Sequence, residues 1–115
     1  MDGRPLRKVA DYLATSFGVR HLDTITTAGM VRHLAIETEQ TAAILANVDL
    51  SIRKHGSRHI AVVAHHDCAG NPVPDKTQKQ QVSTAVARVK TAHPDAEVLG
   101  LWADEHLIIS RVWPT

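Results

Sequence analysis

The chain has 115 residues, of which 43% are hydrophobic and 22% charged, with a formal net charge of +1. That length suits one domain, 1–115, with a single core, and leaves no room for a separate substrate domain. A charge this small and this evenly spread excludes the basic footprint of a nucleic-acid binder, and no apolar run approaches the ~20 residues a membrane span needs.

A lone cysteine, Cys68, excludes an internal disulfide and suits a reducing compartment. Met1 leads into Asp-Gly-Arg-Pro rather than a basic-then-apolar leader, so a cytoplasmic chain is expected.

Residues 5–17 read as a first helix. Pro5 suits the first turn, Leu6, Val9, Ala10, Leu13 and Phe17 recur at three- and four-residue spacing, and Gly18 is the stop. Val19 to Thr26 follows as a predicted strand, with Val19, Leu22 and Ile25 as its apolar members. Thr27-Ala28-Gly29 turns the chain into one long predicted helix from about Val31 to Lys54. Leu34, Thr41, Leu45, Val48 and Ile52 hold its stripe, and Gly56 is the C-cap candidate.

Ile60-Ala61-Val62-Val63-Ala64 is an unbroken run of small and β-branched residues. It predicts a strand buried on both faces near the middle of a sheet. The run stops at His65-His66-Asp67-Cys68 and then Ala-Gly-Asn-Pro, which cannot continue a strand. The chemistry-bearing side chains therefore stand at a strand's C-terminal end, where ligands bind in open α/β sheets. Beyond that loop, Asp75 with Gln78 forms a capping-box signature, and Val82, Ala85, Val86 and Val89 give a further helix its stripe up to His93-Pro94. Glu97 to Trp102 and Leu107 to Trp113 are two more strands, joined by Asp104-Glu105-His106 at hairpin length. The order implies an α/β fold. Its sheet is expected to be mostly parallel, flanked by helices and closed by a C-terminal antiparallel hairpin.

His65, His66, Asp67 and Cys68 are the densest set of potential metal ligands. A buried free cysteine is usually just a small hydrophobe, and a histidine at a strand end is usually only hydrogen-bonded. A catalytic zinc takes three protein ligands. The third would come from His66, Asp67, a distant histidine or Asp2. A nucleophilic Cys68 paired with His65 or His66 is the other reading. Trp102 and Trp113 read as core, and the six scattered histidines as surface or half-buried. Neither a G-x-G-x-x-G nor a P-loop occurs, so nucleotide binding has no support.

The strand 60–64 followed by His65-x-x-Cys68-x-Gly70 resembles the second zinc-ligand motif of the β-class carbonic anhydrases, a strand ending in His-x-x-Cys-Gly. Ala69 stands where that family usually has glycine. Met1-Asp2-Gly3-Arg4 resembles the tail of the family's Cys-x-Asp-x-Arg motif. Thr27-Ala28-Gly29 resembles its Asn-Ala-Gly turn, and Val98 to Trp113 its closing hairpin. The resemblance implies a β-carbonic-anhydrase-like fold and zinc held by His65, Cys68 and a cysteine aligned immediately before Met1. It also implies Asp2 and Arg4 at the metal's open position, and reversible hydration of carbon dioxide to bicarbonate. The family's central first strand then aligns upstream of Met1, so the chain is expected to be a fragment or a short form lacking one ligand. Homodimers or higher homo-oligomers built on the sheet are implied too. The alternative is a non-catalytic member of the fold that binds a metal, a small anion or a protein partner.

Overall fold

The computed structural model describes residues 4–18, 22–25 and 29–114. The predicted first helix is present as α1, Arg4–Phe17. It ends at Gly18, whose left-handed φ of 67° lets its N–H reach the Ala14 carbonyl at 2.9 Å. The strand expected over 19–26 is not seen: residues 22–25 form no regular element, and 19–21 and 26–28 lie outside the described residues.

The single long helix predicted from Val31 to Lys54 is two helices, α2, Met30–Ala35, and α3, Thr41–His55. Between them Ile36 is extended, at φ −119° and ψ 137°. The reason is a local polar knot. Thr41 Oγ1 donates to the His33 carbonyl at 2.6 Å and accepts the Thr38 N–H at 2.8 Å, and Thr38 Oγ1 pairs with His33 Nδ1 at 2.8 Å. Threonine hydroxyls offer backbone groups an alternative to the helical ladder. The knot also takes His33 into the interior, at 9% exposure, rather than the surface or half-buried position expected. Gly56 caps α3 in the left-handed conformation, as predicted.

The strands are β1, His59–His65, β2, Glu97–Ala103, and β3, Ile109–Trp113, with α4, Asp75–Ala92, between the first two. β1 and β2 run parallel, in register from His59 opposite Glu97 to His65 opposite Ala103. β2 and β3 are antiparallel with an irregularity at Gly100 and Leu101. Asp104 closes that hairpin by accepting the N–H groups of His106 and Ile108 on Oδ1. The fold is thus α/β with a three-stranded mixed sheet in the order β1-β2-β3.

β1 is an edge strand of this sheet, not the central one expected, because nothing among the described residues pairs with its other side. Its burial is correspondingly partial: Val62 and Ala64 are buried, while the rest is half-buried or exposed. Both faces are nonetheless apolar. Ile60, Val62 and Ala64 join Val31, Leu34, Ile44, Val48 and the α4 stripe on one side. Ala61 and Val63 join Val9, Leu99 and Leu101 under α1 on the other. This two-sided core is what the unbroken apolar run demands. Trp102 is buried within it and Trp113 packs against its margin.

Candidate functional site

β1 runs out at His65, and the next residues turn sharply. His66 donates its N–H to the Ala103 carbonyl at 2.9 Å, holding the chain against β2 for one residue more. Asp67 then adopts φ 55°, a left-handed conformation that aspartate tolerates better than most side chains. Cys68 follows as a half-buried free thiol. Its carbonyl accepts the Asn71 N–H at 3.1 Å, which completes the turn.

His65 carries the most informative contact. Its Nδ1 lies 2.9 Å from the His66 carbonyl oxygen. A carbonyl only accepts, so Nδ1 must hold the hydrogen, and in the neutral ring Nε2 is left with its lone pair. That is the tautomer a metal-binding histidine adopts when its other nitrogen is tied to the backbone.

Helix α4 grips this loop at three points one turn apart. Asp75 bonds His66 Nδ1 at 2.9 and 3.1 Å. Gln78 Nε2 donates to the His65 carbonyl at 3.0 Å, and Gln81 Oε1 accepts from Asn71 Nδ2 at 2.6 Å. The Asp75 hydrogen bond raises the His66 pKa above its ordinary value, since the charged ring is favoured beside a carboxylate. The predicted capping box therefore does not cap. The structure gives α4 Pro74 as its N-cap with no side-chain cap bond, and Asp75 and Gln78 turn to the loop instead. The turn before α2 closes the far side. A side chain at Gly29 would put its Cβ 2.3 Å from the Gly70 carbonyl oxygen, so only glycine allows this approach.

A cavity of about 1690 Å³ lies along β1 and ends at this loop. Leu6, Val9, Leu13 and Phe17 of α1 line one wall, Val31, Leu34, Ile44 and Val48 another, and His65, Asp67, Cys68 and Gln78 its head. Its position follows from strand geometry. Arg58 and His66 pair with β2, so in the alternation of a strand the backbone groups of Ala61, Val63 and His65 point away from β2. They point toward the open edge.

Of the residues singled out from the sequence, His65, Asp67 and Cys68 line the head of the cavity. His66 is exposed and turned to Asp75. Asp67 is exposed at the turn. Arg4 opens α1, though its side chain lies outside the description, and Asp2 lies outside the described residues altogether. Sequence reasoning missed Asp75, Gln78 and Gln81 as site residues. Their spacing of three along one helix was the available signal, and the capping-box pattern accounted for the first two.

Imidazole nitrogen and thiolate sulfur are donors zinc accepts readily. Their number falls short: among the described residues no three His, Cys, Asp or Glu side chains come together. By themselves the described residues are an incomplete zinc site.

The described residues thus form an α/β fold with an imidazole and a thiol at the C-terminal end of β1. The family described as Putative carbonic anhydrase matches residues 1–113, and this chain belongs to that family. No curated protein and no solved structure matches it. No helix among the described residues is long and apolar enough to cross a membrane.

Proposed function

We propose that this chain is a carbonic-anhydrase-like zinc protein that interconverts carbon dioxide and bicarbonate. In this reading His65 and Cys68 hold the metal together with a third donor from outside the described residues, and Asp2 and Arg4 act at its open position. Zinc would supply the Lewis acid that activates water at neutral pH. The observation that carries the reading is His65 with Nδ1 tied to a carbonyl, standing beside Cys68 at the head of an apolar cavity. The same reading makes the chain a single cytoplasmic domain working as a homodimer or higher homo-oligomer.

The donor count among the described residues favours a second reading, a non-catalytic member of the family that binds a metal, a small anion or a protein partner. Zinc analysis by plasma emission with a stopped-flow hydration assay separates the two. The assay is run on the chain as it stands and on a chain extended by a strand ending in cysteine directly before Met1. Weak, partial occupancy is expected in the first, and stoichiometric zinc with carbon dioxide hydration in the second. Cys68→Ser in the extended chain should lose both, because a hydroxyl is a far poorer zinc ligand than a thiolate. An extended chain without zinc, or full occupancy in Cys68→Ser, makes the non-catalytic reading the better one.

A further inference from the structure

Gln78 is 1% exposed, and only half of its amide is satisfied. Nε2 donates to the His65 carbonyl at 3.0 Å, while Oε1 is buried without a hydrogen-bond partner among the described residues. Flipping the amide does not help, because the flipped oxygen would then face a carbonyl oxygen. An orphaned buried acceptor lowers stability, so such a residue calls for an explanation other than stability.

The peptide group between His65 and His66 supplies one. Its C=O is held by Gln78 and its N–H by the Ala103 carbonyl, so this plane is clamped from opposite sides. The next carbonyl along, that of His66, is the acceptor for His65 Nδ1. Directly after it Asp67 turns the chain at φ 55°, in the left-handed region that aspartate adopts more readily than most residues. Ala103 lies on β2 and would hold its side of the plane in any parallel pair. Gln78 reaches in from another element, on the side where β1 has no neighbouring strand among the described residues.

We propose that Gln78 is a positioning residue. By clamping the His65 carbonyl it holds the His66 carbonyl under the His65 ring, which fixes the hydrogen on Nδ1 and keeps the Nε2 lone pair free at the head of the cavity. This rests on reading His65 as a donor, but its test needs no metal. The readout is the His65 tautomer, from nitrogen-15 and proton correlation spectra of the labelled full chain at a pH where the ring is neutral, alongside denaturant unfolding.

The native protein should show His65 as the Nδ1–H tautomer. In Gln78→Met, which keeps the length of the side chain and suits a helix, the preference for that tautomer should fall by up to about tenfold, the upper end of what one neutral hydrogen bond contributes. Unfolding stability should hold or rise, because the orphaned oxygen has gone. Gln78→Leu likewise removes the donor without burying a charge and should lose the tautomer in the same way, giving a second folded variant to read. A native ring without a fixed Nδ1 hydrogen, or variants that keep it, overturns the proposal. So does a fall in stability with the tautomer intact, which would make Gln78 purely structural. Should the tautomer respond as stated while the extended chain binds no zinc, the positioning role stands and the zinc reading alone falls.

Discussion

Asp75 occupies the first residue of α4, where a carboxylate would favour the helix dipole, and it also bonds the ring of His66. The bond raises the His66 pKa, and the sign of the pH dependence follows. The contribution of the charged pair is fully present below the ring's ordinary value near 6.5 and is lost as pH rises through the higher folded value. Both side chains are largely exposed, so the effect is screened by salt. Proton NMR titration should find His66 titrating above an ordinary histidine. Asp75→Asn should bring it back toward the ordinary value. Asp23 behaves in the opposite sense. The Ser51 hydroxyl, which donates to its carboxylate at 2.6 Å, and then His55 lower its pKa, and the associated stability is lost as pH falls through the folded value.

At the scale of elements, the position of α4 over the sheet is set by Gly100. An added Cβ there would stand 2.4 Å from Val82 Cγ1, with Trp113 Cβ at 3.2 Å. Val82 is fully buried and cannot swing out, so Gly100→Ala must push helix and strand apart. Overpacking of this kind costs about 1–3 kcal/mol. Chemical denaturation should show a loss in that range, and an unchanged midpoint would mean that α4 does not pack as described. Much of this architecture was legible in the residues. Gly18 and Gly56 announced two helix ends, and the stripe Val82, Ala85, Val86, Val89 announced α4. The break between α2 and α3 was not legible, because the apolar stripe runs on through Leu34, Thr41 and Val48 as though one helix carried it. What interrupts it is a set of hydrogen bonds among His33, Thr38 and Thr41, which needs the chain already folded back on itself. The same holds at the site. His65 and Cys68 were legible as adjacent donors, but the grip of Gln78 on the His65 carbonyl spans thirteen residues and looks, in the sequence, like a cap.

For the whole molecule, the open side of β1 is the dominant feature. A strand of β1's seven residues takes up on the order of 1,100 Å³, from about 23 Å of length, 4.8 Å of strand spacing and 10 Å of layer spacing. The cavity beside β1, at about 1690 Å³, is large enough to take one. Leaving unpaired backbone and apolar walls in water is unfavourable, and such edges recruit partners. We therefore expect self-association. The Cα radius of gyration of one chain is 13.0 Å, so small-angle scattering and light scattering at micromolar concentration should give a larger radius and at least twice the chain mass. A monomeric mass with the single-chain radius contradicts this. The form of the assembly depends on which edges meet, for the sheet ends in β1 on one side and β3 on the other. If like edges meet about a twofold axis, the contact satisfies itself in two molecules and stops. If the β3 edge of one molecule meets the β1 edge of the next, every addition exposes a fresh β1, and growth is open-ended. The two sheet edges left open among the described residues thus place this small protein between a closed pair and a fibre.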